Sequence, residues 1–205
     1  MTGPLAVYVI ASLALILTPG QDMIYVIGRS LAQGRAAGLC SALGVVIGIL
    51  VHTALAAIGV GAILQASETL FTALKLVGAA YLVYLGARML LTRAIAIDTA
   101  VAASRSSLPW LVLQGVLSNV TNPKIILFFF AFLPQFLDPA SAHPTRDLVG
   151  LGVLYALMAL PVKCAVALVA AGLSQRMRRQ PGALVWMNRA CGAILVALGV
   201  RLARS

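Results

Sequence analysis

Six long apolar runs, joined by short polar segments, account for most of the chain: residues 4–27, 38–64, 70–91, 109–133, 147–173 and 184–203. A helix rises 1.5 Å per residue, so about 20 apolar residues cross a bilayer, and each run is long enough. Two of the runs are interrupted. The first holds Thr18-Pro19-Gly20-Gln21-Asp22, and the fourth holds Asn119-Val120-Thr121-Asn122-Pro123-Lys124. In hydrocarbon every backbone polar group needs an internal partner. A helix broken at membrane depth is therefore tolerated only where it is buried in protein or lines a cavity. Thr18 and Asn122 each precede a proline, which predicts an N-cap followed by proline at the first helical position and a second half-helix after each break. The breaks recur three spans apart. An odd number of crossings inverts the second half relative to the first, an arrangement found in several transporter folds. The expected fold is an all-α polytopic membrane protein: six transmembrane helices as two inverted three-helix repeats, with helices one and four broken. The expected organisation is one transporter domain over 1–205, with repeat one at about 4–91, a cytoplasmic connector at 92–108 and repeat two at 109–203.

Composition supports this. The 205 residues are 61% hydrophobic and only 10% charged, whereas soluble domains run near 25% charged. The net charge of +10 would suggest nucleic acid in a soluble protein. Here the arginines fall in the joints, where they set topology and meet anionic headgroups, so no nucleic-acid partner is expected. Nine arginines (Arg29, Arg35, Arg88, Arg93, Arg105, Arg176, Arg178, Arg179, Arg189) follow runs one, three and five, against Arg146, Arg201 and Arg204 on the other side. The positive-inside rule then places both termini outside the cytoplasm. The first run lacks a basic leader and a cleavage site, and is read as a retained span rather than a signal peptide. Cys40, Cys164 and Cys191 are scattered through apolar runs, without disulfide or metal-ligand spacing. Glycine pairs four apart, Gly34/Gly38 and Gly44/Gly48, suit close helix packing.

Charge inside the spans is where chemistry is expected, because intramembrane ionisable groups are costly. Asp22 is the one acidic residue well inside a run, and the lysines Lys75, Lys124 and Lys163 all fall within runs. Asp22 and Lys124 occupy nearby positions in the two halves and are expected to face each other. The alternative is a structural ion pair that pins spans one and four. Lys163, just after Pro161, is a candidate third member. His52, in the middle of span two, suits either proton relay or a packing hydrogen bond. Asn119, Thr121, Gln114, Tyr81 and Tyr84 are candidates to line a route or to bond between helices. Of Phe128, Phe129, Phe130 and Phe132, at least two are expected to face lipid.

Several blocks carry a family resemblance: Leu17 to Asp22, Gly28-Arg29-Ser30, Gly34-Arg35-Ala36-Ala37-Gly38, Leu74 to Leu82, Tyr84-Leu85-Gly86, Asn122-Pro123-Lys124 and Phe132-Leu133-Pro134-Gln135-Phe136. In that order and spacing the chain resembles the LysE/RhtB family of amino-acid exporters. The family usually has a second proline where this chain has Gln21. The resemblance implies proton-driven export of amino acids or close derivatives from the bacterial cytoplasm, and so a place in the inner membrane; no cofactor is expected, and the residue spacing offers no metal site. A homodimer is possible. The substrate or coupling residues to be expected are Thr18, Pro19, Gly20, Gln21, Asp22, His52, Tyr81, Asn119, Asn122, Pro123 and Lys124.

Other classes fit less well. An intramembrane enzyme needs a nucleophile and base or metal ligands at one depth, and His143 lies in a joint. A thiol–disulfide carrier needs a cysteine pair beside the broken helices, and Cys40 and Cys164 are remote in sequence from Pro19 and Pro123. No phosphate-binding loop or channel-filter sequence is present.

Overall fold

The computed structural model of the chain describes residues 2–66, 68–91, 106–137, 141–172, 189–190, 192–197, 199–200 and 203. Among the described residues the regular structure is helical and no strand occurs. In chain order the helices are α1 (Thr2–Leu17), α2 (Gln21–Gln33), α3 (Arg35–Ala66), α4 (Glu68–Leu91), α5 (Leu108–Val120), α6 (Pro123–Leu127) and α7 (Pro144–Gly172). A π-helical turn, Phe128–Phe132, and a 3-10 turn, Leu133–Phe136, continue α6.

Both expected breaks are present. The helix pair Leu5–Leu17 and Gln21–Gln33 bends by 47°, and the pair Leu108–Val120 and Pro123–Phe136 bends by 53°. Two unbroken stretches, Arg35–Gly59 and Pro144–Gly172, are long and apolar enough to cross a membrane, and each bent pair also qualifies if taken as one span. The third expected run lies within α4, Glu68–Leu91, in which Leu76–Leu91 is a shorter apolar stretch than the other spans. Of the sixth, 189–190, 192–197, 199–200 and 203 are described as helical, while Trp186 and Cys191 lie outside the described residues, as do most of the 92–108 connector and the arginines at 176, 178 and 179.

The long helix α3 is the spine, with α5 and α7 packed along it and α2 beside them. The approach to α5 is close because both helices carry glycine at the crossing. A Cβ on Gly44 would collide with the Val112 carbonyl, and one on Gly115 would come within 2.6 Å of the Ser41 carbonyl oxygen. Small residues let helix backbones meet in this way where lipid offers no hydrophobic drive to association. Gly86 and Gly192 form a second such contact, between α4 and the last helical segment. Tyr8 donates to the Leu151 carbonyl at 2.6 Å and ties α1 to α7.

The outer surface is apolar: Ile58, Leu91 and Leu157 are 74%, 79% and 63% exposed. Many large apolar side chains on the outside suit lipid rather than water. The phenylalanine run is a correction to the sequence reading. Phe128, Phe129 and Phe132 are buried and Phe130 is partly buried. The π turn aims the first two at Tyr155 on α7, with ring centroids 4.9 and 5.5 Å away. A fourfold aromatic run cannot be apportioned between lipid and core by a 3.6-residue period when the helix itself changes period.

Candidate functional site

Each proline removes one N–H from a helix and so leaves the carbonyl four residues earlier without its donor. At the first break Pro19 strands the Leu15 carbonyl. The Lys124 ammonium donates to it at 3.2 Å, and to the Thr18 carbonyl at 3.2 Å. At the second break Pro123 strands the Asn119 carbonyl. His52 Nε2 sits 3.2 Å from that oxygen, and the Asn122 N–H donates to it at 2.9 Å. The first interrupted helix is thus completed by a residue of the second break, and the second by its own Asn122 N–H together with His52 of α3.

The caps differ from expectation at one of the two positions. Asn122 is the N-cap of α6, and its side-chain oxygen accepts from the Lys124 N–H at 3.1 Å. Thr18 is not a cap. Its hydroxyl donates back to the Ala14 carbonyl at 2.7 Å, and Gly20 caps α2 without a side-chain bond. Pro19 therefore lies between α1 and α2 rather than at the first position of α2. Threonine can bond the preceding turn as readily as the following one, and sequence alone does not choose. Gly20 has a separate use: a Cβ there would come within 2.9 Å of the Lys124 ammonium.

Asp22 lies in the first turn of α2, where the helix dipole favours negative charge. It is buried, and three side chains converge on it. Lys163 Nζ is 2.9 Å from Oδ2, Lys124 Nζ is 3.9 Å from Oδ1, and Asn122 Nδ2 donates to Oδ1 at 3.3 Å. The expected Asp22–Lys124 pairing is present, yet the shorter contact belongs to Lys163. Both lysines are buried along with the carboxylate. One carboxylate and two ammonium groups thus share a site closed to solvent, at the meeting of two helix breaks. Lys124 also places its charge at the C-terminal end of α1, where the dipole favours a cation.

The other expected residues distribute as follows. Asn119 is fully buried, with its side chain pressed against Gly48 of α3. His52 is buried too, stacked 5.8 Å from Phe129. Its Nδ1 and the Asn119 side-chain amide have no hydrogen-bond partner among the described residues. Gln21 is exposed and donates to the Thr121 hydroxyl at 3.4 Å. Tyr81 is half-buried on α4 with its ring 6.1 Å from Tyr84, and no described contact joins it to Asp22. The side chain of Lys75 lies outside the described residues. Cys40 and Cys164 are free thiols.

Sequence reasoning misses Arg29. It places the residue in a joint, but α2 continues to Gln33, and Arg29 is buried inside the bundle at 4% exposure. The polar run Gly28-Arg29-Ser30 resembles a span end. The signal that it is not one is the spacing: Arg29 follows Asp22 by seven residues, two helical turns, and so shares its face.

The family model for LysE type translocators matches residues 13–205. The chain is 34% identical over 196 residues to an uncharacterized membrane protein of Vibrio cholerae, covering 96% of this chain and 94% of that one. It is 31% identical over 196 residues to the homoserine/homoserine lactone efflux protein of Salmonella typhimurium, covering 96% and 94%. It is 26% identical over 196 residues to the leucine efflux protein of an Enterobacter species, covering 96% and 93%. No solved structure matches. On the extent of the family match and of these alignments, the chain belongs to the LysE type translocator family.

Proposed function

We propose that the chain is a secondary transporter of the bacterial inner membrane that exports amino acids or close derivatives in exchange for protons, with the Asp22–Lys163–Lys124 cluster as its substrate site. The observation that carries this reading is the buried cluster in which two lysines share one carboxylate. Two buried ammonium groups beside one carboxylate make a site that favours a ligand bringing an anion. An amino acid does so without changing the net charge. Its carboxylate goes to the lysines and its ammonium competes for Asp22. The efflux of homoserine and of leucine named for the relatives supports the same class of cargo.

Proton coupling follows if Asp22 takes one partner at a time. A carboxylate that holds a substrate ammonium cannot also hold a proton, and that exclusion is the elementary requirement of antiport. The reading takes the membrane unit as six spans in two inverted halves, with both termini outside the cytoplasm. The recurrence of a proline break in spans one and four, each with a stranded carbonyl answered by a basic side chain, supports it.

The test is efflux of labelled homoserine, leucine, threonine and lysine from preloaded vesicles carrying the reconstituted chain, with and without an inward proton gradient. Efflux of at least one of them, accelerated by the gradient, is expected. Efflux that ignores the gradient removes antiport. No efflux of any of them removes the amino-acid reading.

A further inference from the structure

Arg29 is a buried cation for which the described residues supply no counter-ion. No carboxylate among them lies within ion-pair distance of it. One guanidinium nitrogen, Nη2, donates to Gln114 Oε1 at 2.9 Å. The other two, Nε and Nη1, are buried and have no hydrogen-bond partner among the described residues. A cation in this state is expensive, and a guanidinium offers most of its donors to carboxylates or phosphates.

The group is nevertheless held in a fixed orientation. Gln114 of α5 fixes one edge, and the Tyr25 ring lies 5.8 Å from Cζ. Tyr25 is itself anchored, donating to the Leu111 carbonyl of α5 at 2.7 Å. Donors whose supports are fixed in this way and which lack an acceptor are placed to receive one.

Its position narrows the ligand. Asp22 and Arg29 lie on one face of α2 and are separated by roughly 10 Å along the helix, from seven residues at 1.5 Å each. A small amino acid cannot bring one carboxylate to both places at once, so the two are successive stations. Arg29 stands at the end of α2 where Gln33 accepts from the Ser106 N–H just before α5, the end at which the chain's halves are joined.

We propose that Arg29, oriented by Gln114 and Tyr25, is a second carboxylate-binding station on the substrate route, which receives the amino acid's carboxylate before or after the lysines of the Asp22 cluster do. This rests on the export function proposed above. Neither free nitrogen is open to solvent in this conformation, so the carboxylate reaches Arg29 in another conformer of the transport cycle.

The probes are two halves of leucine: isocaproate, which keeps the carboxylate and lacks the amine, and isoamylamine, which keeps the amine and lacks the carboxylate. Each is tested as an inhibitor of labelled leucine efflux by the reconstituted full chain, in vesicles of phosphatidylcholine alone and with phosphatidylglycerol added. Arg29→Gln is expected to raise the leucine KM and the inhibition constant of isocaproate by about tenfold, one lost charge-assisted contact. Isoamylamine inhibition should stay within about twofold of the original by the same arithmetic. Arg29→Lys keeps the charge and loses the planar donor set. It should show the same selectivity at smaller size, and carries the comparison if Arg29→Gln does not fold. Equal effects on both probes, or none on either, overturn the proposal. An effect of Arg29→Gln that appears only with phosphatidylglycerol also overturns it, by assigning the site to a lipid phosphate. Wild-type vesicles that move no amino acid at all defeat the export function instead, and this inference with it.

Discussion

The two helix breaks are built from similar words and completed in different ways. The second is largely self-sufficient. Asn122 caps α6 from within the break, and the stranded Asn119 carbonyl is shared between a neighbouring N–H and His52. The first has no cap of its own. Its stranded Leu15 carbonyl is answered by Lys124, which belongs to the second break, and its Asp22 is held by Lys163 of α7 and Asn122. The second break is completed mostly from within, and the charged groups of the first are assembled against it. On the export function proposed above, the break completed by distant charged groups is the one that a charged ligand competes for.

The largest effect that would break this comparison comes from Asp22. Asp22→Asn leaves two buried ammonium groups without a carboxylate, and should destabilise by about 3–5 kcal/mol and abolish export. Thermal unfolding in detergent reads the first and vesicle efflux the second. Replacing both members of the closer pair, in Asp22→Asn with Lys163→Met, should recover part of the stability, because only Lys124 then remains buried without its carboxylate. Export should stay absent. Recovery of export in the double variant would mean that the pair is only a brace.

His52 sharpens the contrast. As donor to a stranded carbonyl, it should be replaceable by another donor. His52→Leu is expected to cost about 1–3 kcal/mol, read by the same unfolding assay. His52→Gln should cost less than that and keep export near the original rate. Loss of export in a stably folded His52→Gln protein would move His52 from support to proton relay.

Asn122→Ala should cost about 1 kcal/mol through the lost cap, and should slow export as well, because Asn122 also holds Asp22. The smallest effect is expected at Gln21, the first residue of α2 and an exposed one. Proline is well tolerated at the first helical position. Gln21→Pro should therefore change the unfolding temperature little, while efflux of a substrate panel reports whether the Gln21 amide affects choice of cargo.

Local signals and long-range ones differ in how legible they are. Proline at 19 and 123 is a backbone constraint that acts where it stands, so both breaks can be read directly. Asp22 stands out because a carboxylate is costly in an apolar run unless a partner or a ligand meets it, and Lys124 because it abuts a break. Lys163 is visible only as a costly residue. Its partner is far away along the chain, and no local pattern encodes which lysine folds closer to Asp22. Arg29 is misplaced for a related reason. Charge is a good sign of a span end only when the helix actually ends there, and α2 runs on to Gln33 before Gly34, at φ +84°, turns the chain. The Thr18 cap fails because a hydroxyl has two backbone partners within reach. The expectation for the phenylalanines fails because the helix changes to a π turn beneath them.

The central claim is that Asp22 holds substrate and proton in alternation. The most direct test is proton uptake, followed with an internal pH dye, into vesicles preloaded with homoserine or leucine and diluted into amino-acid-free buffer. The account predicts proton entry that accompanies amino-acid efflux in the wild-type chain, and neither flux in Asp22→Asn protein that remains folded. Amino-acid efflux from Asp22→Asn vesicles with proton entry undiminished would contradict it.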